Sequence, residues 1–503
     1  MYKFLKKETK VPKILGKSED LEDVKQTHIQ NPFNQFIFPF FMVNPKPENG
    51  IKKPVRSKSG VTPLTVVLKP RKCNHGTCIY CPGGDYVPQS YTDKSPAVMR
   101  ALQLKFDVRK QVESRLNALI KMGHPTDKIE LIVIGGTFLQ YPLDYQYDYI
   151  KGCFDVLNGK DSSTLEEAQK INETAQHRIV AMCIENRPDN CSIEEIKRMR
   201  RFGCTRVEIG VQILDDEIYK KTARGHKIQD VVDASERLKD AGFKLGYHIM
   251  PGLPYSNVEK DIEKFRLIFE DESFRPDQLK IYPCQIVEDS PLAKMYKRIN
   301  YVPYNDEQIK EVLTRMMRII PDYCRIMRVM REIPKEKMLV EAASTSIRKE
   351  VEDELRKKHE HVKEIRIREI GFNKDGLKLD TKLKQIEYNS SGGKEFFLEV
   401  VNSDDILFGL LRLRFPKNFI LPELKGCAIV RELHVYGQAL HLHEKVKNSQ
   451  HTGLGKMLMG EAEKIAREAG YKKLAVISGV GVREYYKKLG YNLEGTYMVK
   501  NLN

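Results

Sequence analysis

No apolar run near the start of this sequence is long enough to cross a bilayer. The longest there, residues 33–43, is interrupted by Pro39, whereas a spanning helix needs about 20 consecutive apolar residues. The run also lies too far into the chain to be a secretory signal. Low-complexity tracts are absent too, and 41% hydrophobic with 31% charged residues is the balance of a folded protein rather than a disordered one. Without a secretion signal the ten cysteines have no oxidising compartment in which to pair, so a disulfide framework is not expected. These absences point to a cytoplasmic protein with no membrane segment, whose reduced thiols are available as metal ligands.

At 503 residues the chain exceeds the usual size of one core, so at least two domains are expected. The net charge is +16, and residues 1–72 hold 15 Lys and Arg against 6 Asp and Glu. Such a field suits a polyanion, whose counterions it would release, although a Lys-rich composition also serves solubility.

From residue 64 to about 283, β-branched runs alternate with amphipathic stretches. Candidate strands lie at 64–69, 130–135, 178–184, 206–212, 243–250 and 278–282, with helical segments such as 193–202 and 231–241 between them. This alternation predicts a parallel sheet, either open and doubly wound or closed partway into an incomplete (β/α)6 barrel. In both, chemistry gathers at the carboxyl ends of the strands. Gly135-Gly136-Thr137, Glu185-Asn186-Arg187-Pro188-Asp189 and Pro251-Gly252-Leu253-Pro254 all fall at such ends. Each alone reads equally as a turn, but their shared placement marks a candidate site. Residues 301–375 read as a charged helical connection. A third composition follows, with strands at 396–401, 406–415 and 428–435 before a glycine-punctuated helix, and predicts a separate α+β domain within 376–503.

Cys73, Cys78 and Cys81 form a C-x4-C-x2-C run directly after the first strand. Three thiolates on one loop can hold three irons of a [4Fe–4S] cluster and leave the fourth open to an exogenous ligand. That vacancy is what reductive cleavage of S-adenosylmethionine requires. A zinc site using the same cysteines with His75 is the alternative, although zinc sites usually draw paired ligands from two knuckles and no second one is visible. The other seven cysteines are scattered singly, as core thiols are. In the C-terminal part, Gln450-His-Thr-Gly453-Leu454-Gly455 opens a helix. Such a turn points backbone N–H groups and the helix dipole at a pyrophosphate, or is an ordinary glycine turn.

Taken with Pro88-Gln-Ser-Tyr-Thr92, Arg206-Val-Glu-Ile-Gly-Val-Gln212, Arg431-Glu-Leu-His-Val-Tyr-Gly437, Ile477-Ser-Gly-Val-Gly481 and Tyr497-Met-Val-Lys500, these motifs resemble the Elongator protein 3 family. The likeness extends over nearly everything after residue 51. It implies a radical S-adenosylmethionine (radical SAM) barrel at 61–300 and a GCN5-related N-acetyltransferase domain at 376–503; the segment at 1–60, most of which has no clear family counterpart, is expected from its basic charge to bind tRNA. It further implies that Cys73, Cys78 and Cys81 hold the cluster and that Gly135, Gly136 and Thr137 lie against S-adenosylmethionine. Glu432, Leu433, His434, Val435, Gly453, Leu454 and Gly455 would bind acetyl-CoA, with Lys128 and Tyr486 as catalytic groups near the same cofactor. The family's structural zinc has no cysteine counterpart in residues 361–371.

The function implied is a tRNA wobble-uridine carboxymethyluridine synthase, with the anticodon stem-loop as partner. A reductant protein would supply electrons, and a homodimer or accessory subunits are both open. Two other readings stay in view. One is a protein lysine acetyltransferase with a structural iron–sulfur domain, and the other is a tRNA-binding scaffold without catalysis.

Overall fold

The computed structural model describes residues 50–53, 57–340, 344, 346–373, 377–436 and 453–502. The apolar run at 33–43, most of the expected basic segment 1–60, and Gln450, His451 and Thr452 lie outside the described residues. Among those described, no helix is long and apolar enough to cross a membrane.

The first sheet contains β1 (Thr62–Val67), β2 (Lys128–Ile134), β3 (Arg178–Asn186), β4 (Arg206–Gln212), β5 (Lys244–Ile249), β6 (Gln278–Ile281) and β7 (Arg325–Val329). They pair in sequence order, all parallel. Helices connect successive strands, and the sheet curls into a half-barrel whose two edges, β1 and β7, do not meet. The seventh strand lies inside the segment read as a helical connection, and the first six fall where the sequence places them. Residues along β4 alternate sharply. Val207, Ile209 and Val211 are wholly buried in the main hydrophobic core, while Arg206, Glu208, Gly210 and Gln212 line the interior cavity. The period of two sorts one strand into a packing face and a site-facing face.

The second sheet contains β8 (Lys382–Ser390), β9 (Gly393–Val401), β10 (Leu407–Phe415), β11 (Cys427–Val435), β12 (Lys473–Val476), β13 (Asn492–Glu494) and β14 (Tyr497–Asn501). Its order is β13-β14-β12-β11-β10-β9-β8. Only β11 and β12 are parallel, and their register ends at Val430↔Val476. Beyond that point β11 pairs on β10 alone, as far as Gly409↔Val435. The two parallel strands therefore splay and open a notch, over which the helix Leu454–Glu468 begins. β11 also carries one extra residue opposite Arg412/Leu413. This bulge turns Arg431 out of the ladder, and its guanidinium meets Asp277 and Glu395, at 2.7 and 2.9 Å.

Arg431 belongs to a buried joint between the two sheets. Arg414 pairs with Asp240 at 2.6 Å and Glu395 at 2.8 Å, and Arg412 pairs with Glu432 at 2.8 Å. Burial works against the Asp277 charge, but Arg431, Lys239 and Arg412 outweigh it and hold the carboxyl far below its usual range. Two glycines complete the fit. A side chain at Gly479 would collide with the backbone of Val180, and one at Gly481 would sit 2.5 Å from Cβ of Arg178. The second domain thus seats its backbone directly on β3.

Candidate active site

The loop after β1 leaves the sheet through Leu68, whose N–H donates to Ile134 O, and folds over the carboxyl end of the half-barrel. Gly76 N–H donates to Cys73 O and Cys81 N–H to Cys78 O, each at 3.0 Å, so tight turns bring the three cysteines onto one surface. Cys78 is buried, and Cys73 and Cys81 are half-buried. Burial pushes the Cys81 thiol up to about 11, with Cys78 adding to it, and burial also raises Cys73. The sulfurs are thus largely withdrawn from water, with the Arg224 guanidinium beside Cys78.

Among the described residues, the set of three ligand atoms gathered within 4.8 Å, as a single ion requires, is Glu185, Glu208 and His248, not the cysteines. His75 is also committed. Its Nε2 lies 3.0 Å from the guanidinium of Arg187, which can only donate, and 3.4 Å from Cys78 Sγ. Burial, followed by Arg187 and Arg224, lowers its pKa to about 4. A neutral imidazole whose lone pair accepts from arginine is a poor zinc ligand. The more widely spread thiol triangle suits a polynuclear cluster, so the three cysteines fit a [4Fe–4S] centre with one iron free of protein ligands.

Gly135 and Gly136, at the end of β2, have φ of 130° and 90°. A Cβ on Gly135 would lie 2.9 Å from Leu68 Cβ, so only glycine lets the backbone pass here. Thr137 Oγ1 is 3.9 Å from Cys73 Sγ, which puts the glycine turn beside the cysteine loop. All three cysteines, Gly136 and Thr137 line one cavity of about 490 Å3 that reaches Ser59, Pro63 and Arg325 at the amino ends of the strands.

Halfway along this cavity lies a network that sequence reasoning missed. Glu208 meets His248 Nε2 at 3.0 Å and is in close contact with Lys280, which also reaches Glu185 at 3.2 Å. Burial opposes the Glu208 charge, but Lys280, Arg206 and His248 outweigh it and hold the carboxyl well below its ordinary value. The Lys280 ammonium already supplies the cation that the Glu185, Glu208 and His248 set would otherwise attract. The signal was present in the inward alternation Arg206-x-Glu208-x-Gly210-x-Gln212. Arg187 and Glu185 fall in the strand-end motif already marked in the sequence, whereas Arg224 was missed, and its Nη1 stands 3.6 Å from Cys78 Sγ.

In the second domain Gly453, with φ of 110°, precedes the helix that Leu454 and Gly455 open. The Tyr485 hydroxyl lies 2.7 Å from where a Cβ on Gly455 would stand, and Val435 Cγ2 lies 3.8 Å from it. Tyr485 is thus the tyrosine over the glycine turn. Tyr486 is packed in that domain's core against Tyr491, and burial raises its pKa. Leu433 packs on the same core. The Glu432 and His434 side chains turn instead to the first domain, reaching Lys244 and Ser59 O. Lys128 starts β2 opposite Arg178, the residue on which Gly481 sits, two residues before the helix that carries Tyr485 and Tyr486.

The fold and these sites define a class, the radical SAM enzymes, here joined to an acyltransferase domain. The Radical SAM superfamily matches residues 67–265, the Radical_SAM C-terminal domain residues 276–357, and the Acetyltransferase (GNAT) family residues 368–491. The chain is 48% identical over 461 residues to a tRNA uridine(34) acetyltransferase of Dehalococcoides mccartyi, covering 90% of this chain and 100% of that protein. It is 38% identical over 468 residues to Elongator complex protein 3 of Homo sapiens, covering 90% and 86%. The solved structure of the archaeal Methanocaldococcus infernus Elp3 with an N-terminal deletion superposes with a TM-score of 0.78 at 41% identity, covering 88% of this chain and 99% of that one. The chain belongs to the Elongator protein 3 family. It is an enzyme that uses a [4Fe–4S] cluster, S-adenosylmethionine and acetyl-CoA.

Proposed function

We propose that the chain carboxymethylates C5 of a tRNA wobble uridine, taking the carbon unit from acetyl-CoA. The observation that carries this reading is the joining of two chemistries in one molecule, a three-cysteine loop over a half-barrel cavity and a splayed acyltransferase sheet fastened to the same half-barrel. Acetyl transfer to an amine needs no radical, and a radical enzyme needs no thioester. The relatives named for tRNA uridine(34) acetylation supply the substrate class.

When bound at Cys73, Cys78 and Cys81, the cluster supplies the electron that cleaves S-adenosylmethionine and yields a hydrogen-abstracting 5′-deoxyadenosyl radical. The backbone of Gly135 and Gly136 lies against the methionine portion, and Thr137 orients the turn. In the second domain, the backbone of Glu432–Val435 and the amides of Gly453, Leu454 and Gly455 hold the CoA arm and pyrophosphate. Lys128 and the Tyr485–Tyr486 segment flank the thioester. The acetyl methyl loses a hydrogen atom and the carbon centre adds to C5; the resulting ring radical gives up one electron, which the oxidised cluster would take back, and the C5 proton to restore the double bond, and hydrolysis of the thioester releases CoA and leaves the carboxymethyl group. An anticodon-loop uridine is already unpaired, so most of the few kcal/mol, roughly, of base extraction is avoided. The basic residues of segment 1–60 attract the phosphates of the anticodon stem-loop.

The test is anaerobic reaction of the reconstituted protein with tRNA, S-adenosylmethionine, acetyl-CoA and a reductant, followed by nucleoside mass spectrometry. Carboxymethylated uridine is the expected product. Its absence with an intact cluster would overturn this reading, and acetylation of peptides in air unaffected by Cys78→Ala would replace it with the lysine acetyltransferase one.

A further inference from the structure

Three residues at the free end of β11 and just beyond it, Glu432, His434 and Tyr436, alternate along the chain and so share one face. That face is turned away from the notch. Each of the three is tied to a different part of the first domain. Glu432 pairs with Lys244, the first residue of β5. His434 Nε2 bonds the carbonyl of Ser59 at 3.0 Å, just before β1. The Tyr436 hydroxyl accepts from Arg325 Nη1 at 3.2 Å, at the start of β7. Ser59 and Arg325 line the cavity that ends at the cysteines. The opposite face of the strand, through Leu433 and Val435, turns to the second domain's core and the glycine turn.

Buried polar ties of this kind add little net stability over well-packed apolar groups, because desolvation offsets their attraction. What they do supply is direction. Three ties on alternate residues, reaching β5, β7 and the approach to β1, leave the strand no freedom to slide or tilt against the half-barrel.

We infer that Lys244, Arg325 and the Ser59 carbonyl are positioning groups that hold the acyl-binding strand in fixed register with the radical cavity, so that hydrogen abstraction meets the acetyl methyl. The inference rests on the proposed function for its assignment of β11 to acetyl-CoA, and adds that the two half-sites are aligned by β11 itself rather than by tRNA. Loosening the ties then separates the two half-reactions while each half-site stays intact.

The experiment uses full-length reconstituted protein, acetyl-CoA deuterated at the methyl, S-adenosylmethionine, reductant and tRNA, comparing wild type with Lys244→Met, Lys244→Arg and Tyr436→Phe. In Lys244→Met the deuterium carried into 5′-deoxyadenosine is expected to fall about tenfold, the scale at which small misplacements act, with a smaller fall in Tyr436→Phe. Iron content, acetyl-CoA affinity and total 5′-deoxyadenosine should hold within about twofold, and Lys244→Arg should restore transfer. Amide hydrogen exchange over residues 431–436 should quicken in Lys244→Met while that of β9 and β10 stays slow. Unchanged deuterium transfer in both Lys244→Met and Tyr436→Phe overturns the inference, as does a parallel loss of acetyl-CoA binding. Should Lys244→Met fail to fold, Tyr436→Phe decides alone. A wild type that transfers deuterium yet leaves tRNA unmodified overturns the proposed function but not the alignment; one that transfers none overturns both.

Discussion

Both sheets carry charged side chains at strand positions that an apolar residue would also satisfy, and they use them differently. In the half-barrel, Arg206, Glu208 and Lys280 face a cavity of about 490 Å3. In the second sheet, Arg412, Arg414 and Arg431 are fully buried and press against Asp240, Asp277, Glu395 and Glu432. The first set lines a space that substrate can enter, and the second closes a joint. Burial alone does not separate a site from an interface. What separates them is whether the paired charges also have open space in front of them.

The sharpest way to break this comparison is at the cysteine loop, where function is lost without a packing defect. Cys78→Ala should abolish iron-dependent 5′-deoxyadenosine formation while the melting temperature of the apoprotein stays near wild type. A large drop in melting temperature would mean that the loop is a structural joint as well. Next in size is Arg431→Ala, which leaves Asp277 and Glu395 buried without their main partner and should cost about 3–5 kcal/mol in thermal or denaturant unfolding. Glu208→Gln removes a comparably buried charge, but the cavity can admit water to satisfy Lys280. The expected loss is about 1–3 kcal/mol, and an equal or larger cost than for Arg431→Ala would erase the distinction between the two sets.

A pH titration sharpens the joint further. Burial opposes the Glu432 charge, but Lys244 and Arg412 outweigh it and bring its pKa to about 2 from the ordinary 4.5. A carboxyl depressed in the folded state contributes stability that is fully present above pH 4.5 and is lost as pH falls through about 2. Acid unfolding followed by circular dichroism should therefore steepen in that window in wild type, and Glu432→Gln should flatten it. The smallest effect is expected at the Lys72–Asp85 pair, with side chains 58% and 64% exposed. Lys72→Ala should shift stability by less than about 1 kcal/mol.

The half-barrel was legible because its strands are uninterrupted and alternate. β4 falls on the expected residues 206–212 without a shift, and the glycine turn after β2 was readable as a site. Several strands were not legible, among them β7, β8, β13 and β14. β7 is five residues long and carries two arginines among helical neighbours. β8, Lys382–Ser390, lies at the sheet edge with one side exposed, so its polar residues mask the strand period. In the candidate site, the cysteines and glycines announced themselves by spacing. The joint did not, because Lys244 and Glu432 stand far apart in the chain and meet only where β5 and β11 come together.

The tyrosine pair shows the limit in miniature. Adjacent residues in one short helix project in different directions, so that Tyr485 faces the glycine turn and Tyr486 the core, and no property of the pair itself says which is which.

By itself the sequence determined the local chemistry: three thiols on one loop, glycines where backbone must pass closely, and the period of each strand. These follow from spacing and steric limits within a few residues. Only the tertiary structure decided that the cysteine loop and the ionised interior border a single cavity, that two residues lining it, Ser59 and Arg325, are tied to the end of β11, and which buried charge pairs face open space and which are closed in a joint. Those relations depend on the packing of segments hundreds of residues apart, and no local propensity carries that information.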